Sequence, residues 1–274
     1  MRSVPARGFP PLGDTVTFPD IRADRRFKNK LSAGQVTLGT FIQVGGPEVV
    51  EICGAVELDF VILDTEHTPV GWERLSAMCV SALYAGTFPL LRIGATEQAL
   101  VTRALDTGAR GVVFPQVQSA EQAAVAARAC RYPPHGTRGA AGTRNMAWGV
   151  NTTLADYIPA ANDGIVCVVQ IETRRGVDAV DAIAAVPGLN CLFVGLSDLS
   201  VDWGVPGEYG HPDIEAGLDR VIEAAQANGI PVGIPIADFS RAPDYRRRGV
   251  SFFATTDRAV VVNGMAAFRS NFQP

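Results

Sequence analysis

Apolar residues along this chain fall into short continuous runs rich in β-branched side chains, separated by segments of helical spacing. Eight runs read as strands: 36–44 (VTLGTFIQV), 60–64 (FVILD), 89–93 (PLLRI), 111–117 (GVVFPQV), 165–171 (IVCVVQI), 191–196 (CLFVGL), 230–236 (IPVGIPI) and 251–256 (SFFATT). Unbroken apolar character, rather than alternation, suits parallel strands covered on both faces. Between them, Trp72–Ala85, Glu97–Thr107, Ala120–Arg131, Val177–Ala185, Ile214–Ala227 and Ser240–Arg248 read as helices. Eight such alternations in roughly 240 residues match a TIM (β/α)8 barrel. An open doubly wound sheet is disfavoured, because no G-x-G-x-x-G follows the first strand. Residues 1–30 carry Pro5, Pro10, Pro11 and Pro19 amid scattered charge. They read as an N-terminal extension ahead of a barrel domain at 31–274.

Charge and composition narrow the chemistry. A net charge of -4 disfavours nucleic-acid binding, and no apolar run of about 18 residues predicts a membrane span. Neither the extension nor the rest predicts a secretory signal. Five cysteines, Cys53, Cys79, Cys130, Cys167 and Cys191, sit mostly among apolar neighbours without a C-x-x-C pair. They read as buried thiols in a reducing cytoplasm. The 24 basic residues include only two lysines, Lys28 and Lys30, and none follows residue 30. A Schiff-base, cofactor-anchoring or phosphate-loop lysine within the barrel is thereby excluded.

The barrel reading expects functional side chains where strands end. The second run leads into Asp64, Glu66 and His67, the third carries Arg92, the fifth ends in Gln170 and Glu172, and the sixth is followed by Ser197 and Asp198. Glu172 and Asp198 are two hard oxygen donors on neighbouring strands, suited to Mg²⁺ or Mn²⁺ with open positions for substrate. Taken alone, they read equally well as helix caps. Gln170 shares a strand face with Glu172, Arg92 offers a fork for a carboxylate or enolate oxygen, and His67 beside acids suits a general base.

Together these segments resemble the HpcH/HpaI family of class II, metal-dependent pyruvate aldolases, the type represented by 4-hydroxy-2-oxoheptanedioate aldolase. The matching stretches are FVILDTEHTP (60–69), LLR (90–92), ALDTGARGVVFPQVQSAEQA (104–123), RYPPHGTRG (131–139), VVQIETRRG (168–176), LFVGLSDLS (192–200) and YGHP (209–212), in the family's order. The resemblance covers about residues 36–257. It implies reversible cleavage of a 4-hydroxy-2-oxo acid to pyruvate and an aldehyde. Glu172 and Asp198 would be ligands of a divalent ion, Mg²⁺ or Mn²⁺ with Co²⁺ as a further option. Arg92 would steady the enolate oxygen, and His67 would act as base together with Asp106. Asp64 and Glu66 would be acidic partners, Gln170 would lie near the oxo group, and the backbone from Gly195 through Ser197 to Asp198 would receive the carboxylate. It further implies a homo-oligomer, a hexamer built from exchanged-helix dimers. Without a lysine, the electron sink of such an aldolase must be a metal acting as Lewis acid.

The match departs in places. Ile93 and Gly94 follow Arg92 where the family often has proline, segment 140–151 is unusual, Asp238 stands where relatives more often show asparagine, and the extension has no counterpart. These departures leave the acceptor open, and condensation or decarboxylation of oxaloacetate through the same enolate is the alternative. Asn145 and Trp148 in the altered segment would suit a larger acceptor, or simple packing. A phosphate-binding barrel finds only Thr255, Thr256 and Arg258 without a glycine cradle. A catalytically dead barrel would be expected to lack one of His67, Arg92, Glu172 or Asp198.

Overall fold

Eight parallel strands close into one barrel in sequence order, β1 pairing with both β2 and β8. A computed structural model describes residues 25–272 except residue 151; most of the extension lies outside that range. After α1 (Arg26–Ser32) come β1 (Thr37–Ile42), α2 (Pro47–Ala55), β2 (Phe60–Asp64), α3 (Trp72–Ala85), β3 (Phe88–Arg92), α4 (Gln98–Asp106), β4 (Gly111–Phe114) and α5 (Ala120–Ala129). A short 3-10 segment, Arg144–Gly149, precedes α6 (Leu154–Gly164), β5 (Val166–Ile171), α7 (Arg174–Asp178) and α8 (Val180–Ala184). Then follow β6 (Cys191–Val194), α9 (Leu196–Asp202), α10 (Pro212–Ala227), β7 (Val232–Pro235), α11 (Ala242–Arg248), β8 (Val250–Thr256) and α12 (Asp257–Ser270). The TIM-barrel expectation holds, and all eight predicted runs form strands.

Alternation along each strand divides the core in two. Val61 and Leu63 of β2, Leu91 of β3 and Cys167 and Val169 of β5 point outward and pack beneath the helices. Phe60, Ile62, Phe88, Leu90, Val166, Val168, Cys191, Phe193 and Phe252 point inward and fill the barrel. Helix α1 starts inside the segment read as extension, and its Phe27 and Leu31 join this inner cluster. The Phe27 ring lies 4.5 Å from Phe88 and 5.5 Å from Phe60, centre to centre, sealing the end where strands begin. Lys30 pairs there with Asp59 at 2.6 Å, and Lys28 bonds to the Asp163 carbonyl. Both lysines therefore sit at the end of the barrel opposite the strand C-termini.

Two helices depart from a regular barrel. Pro159 lies inside α6, a helix absent from those read in the sequence pattern. Beyond its first turn, helix α12 leaves the barrel: every residue from 260 to 272 is exposed, including Val260, Val261, Val262, Met265, Phe268 and Phe272. Leu38, on the outer face of β1, is correspondingly 49% exposed. All five cysteines are free and buried, as expected. Among the described residues, no helix is long and apolar enough to cross a membrane.

Candidate active site at the strand C-termini

The inward-facing series of several strands turns polar at its last member. On β2 it runs Phe60, Ile62, Asp64; on β3, Phe88, Leu90, Arg92; on β5, Val166, Val168, Gln170, and one step further Glu172. Register pairs Asp64 directly with Arg92 across β2 and β3. Their contact is bidentate: Arg92 Nε donates to Asp64 Oδ1 at 3.0 Å and Nη2 to Oδ2 at 2.6 Å. Asp64 is completely buried. Burial opposes its charge, but the hydrogen bonds and charge of Arg92, aided by Gln43 and the Glu66 amide, hold its carboxyl below the usual range. Arg92 also lies over the Phe41 ring at 4.7 Å, and its Nη1 faces Glu66 Oε2 at 3.4 Å. With Nε and Nη2 committed to Asp64, Nη1 is the edge of the guanidinium turned toward the mouth.

Glu66 and His67 occupy the turn after β2, their N–H groups donating to Asp64 Oδ1 at 3.1 and 3.4 Å. His67 Nε2 lies 3.8 Å from Glu66 Oε2, and its side chain is 56% exposed, free to meet a ligand. Burial raises the Glu66 carboxyl, countered by Arg92 and His67 and reinforced by Asp64 and Asp198. The negative charge of Asp198 is thus felt across the mouth.

Glu172 is the most perturbed acid of the group. It is 3% exposed. Its Oε1 accepts from the Gln116 N–H at 2.6 Å and its Oε2 from Gln170 Nε2 at 3.1 Å. Burial, with Asp198 and Glu66, pushes its carboxyl up to about 7 against the pull of Gln116 and Arg92. Gln116 adopts φ 53°, a left-handed backbone costly for a non-glycine residue, so strain is spent on aiming this N–H at Glu172. Gly195 follows β6 as the N-cap of α9 and lies beside Glu172; a Cβ there would fall 2.4 Å from Glu172 Oε2. A buried carboxylate short of positive neighbours, an exposed second carboxylate at Asp198, and a buried Gln170 Oε1 without a partner fit a hard divalent cation. Among the described residues no three His, Cys, Asp or Glu side chains gather into a cage. Water and substrate oxygens would complete such a sphere.

Some expected residues stand differently. Ser197 and Asp198 do not extend a strand; β6 stops at Val194, and both lie in the first turn of α9. Ser197 Oγ lies 3.2 Å from the Tyr209 hydroxyl. Asp106 is not brought to His67 within the chain. Helix α4 runs back from the mouth, and Asp106, its last residue, accepts from Arg138 Nη2 at 2.9 Å at the strand-start end. Asn145 belongs to the same region, buried and donating to the carbonyls of Leu105 and Ala109. Trp148, in contrast, is 54% exposed. Asp238 caps the following turn, accepting from the Ser240 N–H at 3.0 Å. Two participants escaped the sequence reading. Gln43 donates from Nε2 to Asp64 Oδ2 at 3.1 Å, and the Gln116 amide serves Glu172. Gln43 was findable, because it follows Phe41 by two and so continues the inward series of β1; a backbone donor leaves no side-chain signal.

The sequence and the fold have known relatives. Residues 37–261 match the HpcH/HpaI aldolase/citrate lyase family. A 5-keto-4-deoxy-D-glucarate aldolase of Shigella boydii serotype 18 is 34% identical over 248 residues, 90% of this chain and 93% of that protein. A hydroxypyruvate/pyruvate aldolase of Paraburkholderia phytofirmans is 35% identical over 234 residues, 83% and 89% of the two chains. The solved HpcH/HpaI aldolase of Desulfitobacterium hafniense superposes with a TM-score of 0.86 at 32% identity, covering 90% of this chain and 97% of its own. The citrate synthase SbnG is similar at 28% identity and a TM-score of 0.81, over 89% of this chain and 96% of its own. This chain belongs to the HpcH/HpaI aldolase/citrate lyase family.

Proposed function

We propose that the barrel mouth is the active centre of a metal-dependent class II aldolase that reversibly cleaves a 4-hydroxy-2-oxo acid to pyruvate and an aldehyde. One observation carries the reading: an arginine locked by a buried aspartate faces the same mouth as a carboxyl raised to about 7 with no lysine nearby. A divalent ion, Mg²⁺ or Mn²⁺ with Co²⁺ as a further option, held by Glu172 and Asp198 would supply Lewis acidity at the 2-oxo oxygen.

The chain's own residues do the rest. First-turn N–H groups of α9, between Gly195 and Asp198, lack intrahelical acceptors and receive the substrate carboxylate, with Ser197 at the rim. Arg92 Nη1 binds the oxygen on which negative charge grows, and Asp64 keeps the guanidinium aimed without moving during the reaction. Gln170 lies against the oxo group and holds Glu172. His67, with Glu66 beside it, takes the proton of the 4-hydroxyl. As the aldehyde leaves, the C3–C4 electron pair becomes the C2–C3 π bond and the carbonyl π pair moves onto the C2 oxygen; return of the proton taken by His67, directly or through water, to C3 restores the carbonyl and gives pyruvate.

Asp106 can serve His67 only across an interface, since it lies at the other end of its own barrel. We assign it to a neighbouring copy. The apolar, exposed α12 and the uncovered outer face of β1 around Leu38 support the same homo-oligomer, a hexamer built from dimers by family resemblance. The five unpaired thiols support a reducing, cytoplasmic setting.

The test is exchange of pyruvate methyl protons with deuterated solvent, followed by aldol addition across a panel of aldehydes. Exchange that depends on Mg²⁺ or Mn²⁺ and vanishes with EDTA is expected; exchange indifferent to EDTA would sink the metal assignment. Similarity to the citrate synthase SbnG favours a second reading, in which oxaloacetate supplies the enolate. Metal-dependent decarboxylation of oxaloacetate without aldol addition to any aldehyde would select it.

A further inference from the structure

Asp257 is the first residue of α12 and only 5% exposed. Its carboxylate collects the backbone of the β1–α2 turn. Oδ1 accepts from the N–H groups of Gln43 at 2.9 Å, Val44 at 3.3 Å and Arg258 at 2.7 Å. Oδ2 accepts from Val44 at 3.1 Å and Gly45 at 2.7 Å. Three consecutive amides converging on one anion form a concave nest. The turn is drawn close enough that a Cβ at Gly45 would lie 3.0 Å from Asp257 Oδ2 and 2.7 Å from Val49 Cβ.

Gln43 is where this nest meets the active site. Its backbone is held by Asp257, and its side chain, inward by the alternation of β1, donates to Asp64 Oδ2 at 3.1 Å. The same oxygen accepts from Arg92 Nη2 at 2.6 Å. The carboxylate of Asp64 therefore has its plane set by Gln43 on one side and by the Glu66 and His67 amides on the other. Its plane in turn sets the fork of Arg92. We propose that Asp257 is a positioning residue for Arg92, acting through the 43–45 turn and the Gln43 side chain. It touches no reacting atom. Its consequence for turnover rests on the proposed aldolase reading, but the relay itself is a property of the fold.

Hydrogen–deuterium exchange read by mass spectrometry, on the intact assembly of wild type, Asp257→Asn, Gln43→Ala and the double variant, separates relay from simple turn cap. Asp257→Asn should lose protection at the amides of 43–46 and also of 65–67, by about fivefold for each hydrogen bond weakened. Gln43→Ala should lose it at 65–67 alone, because Asp257 still holds the turn. Pyruvate deuteration by the single variants should fall about tenfold in kcat with KM changed less than about twofold, as for a misaligned transition-state contact. The double variant should be no slower than Asp257→Asn. Protection lost at 43–46 but intact at 65–67 in Asp257→Asn would overturn the relay, as would kinetic effects that multiply in the double variant. Should Asp257→Asn fail to fold, unchanged protection at 65–67 in Gln43→Ala overturns it alone. If wild type leaves pyruvate unlabelled, the aldolase reading fails while the exchange pattern still decides the role of Asp257.

Discussion

The two ends of the barrel interior are built from the same alternation and do opposite things. At the strand starts, Phe60, Phe88 and Phe252 meet Phe27 of α1; the Phe60 and Phe252 rings stack at 4.0 Å. Nothing there needs to be aimed, so close packing suffices. Four residues further along each of β2, β3 and β5, from Phe60, Phe88 and Val166, the same inward face carries Asp64, Arg92 and Gln170. There each polar atom has a named partner, or, like Gln170 Oε1, is buried and left open. Stability is concentrated at one end and directional chemistry at the other, joined by a few residues of strand.

Substitutions at the two ends should separate these roles. Among changes that leave both proposed metal ligands in place, the largest effect is expected from Arg92→Ala: deuteration of pyruvate should fall by about 10²–10³ for loss of an oxyanion donor. Leaving Asp64 buried without its counter-charge should also cost about 3–5 kcal/mol, read by denaturant unfolding. Arg92→Lys should not restore the rate, since a point charge cannot reproduce the fork. Phe60→Ala is the converse. It should cost about 3–5 kcal/mol of stability while activity per folded molecule stays within about twofold; an equal loss of both would erase the distinction between the ends.

Glu172→Gln should abolish metal-dependent exchange and alter the response to pH. Because burial pushes the Glu172 carboxyl up to about 7, the folded protein should bind the extra proton between about pH 4.5 and about 7. Stability from this group is therefore complete at the acid side of that window and declines as pH rises through it. Melting temperatures of wild type minus Glu172→Gln should fall across the window without metal and recover when Mg²⁺ is added. A flat difference would show that burial does not hold the proton. The smallest effect is expected from replacing Lys28 and Lys30 together by arginine, which keeps both positive charges at the strand-start end. Rates should stay within about twofold; a collapse in kcat would reopen amine chemistry.

Much of this was legible in the residues themselves. All eight strands appear as apolar runs because nearly all of their side chains are buried, Leu38 of β1 being the exposed exception, and Asp64, Arg92, Gln170 and Glu172 lie at the ends of those runs because the strands open into the mouth there. What the chain order hides is direction along a helix. Asp106 reads as a neighbour of the site in the ALDTG stretch, but α4 carries it away. Helix α9 begins immediately after Gly195, so Ser197 and Asp198 reach the mouth from a helical turn. Helices α2 and α9 are short and α6 contains Pro159, which blurs their periodicity. The role of Asp257 depends on contacts 212 to 214 residues distant in sequence, beyond any local pattern.

That separation has a consequence for biosynthesis. Strand β1 needs β8 for one of its two neighbours, and the turn after β1 needs the carboxylate at the start of α12. The first strand of the barrel is thus completed only once its eighth strand and the residue after it have been made. Long-range closure of this kind slows folding, and it delays the setting of Arg92 until synthesis passes residue 257. A chain interrupted before that point would hold most of the barrel's apolar interior yet lack the anion that organises its first loop.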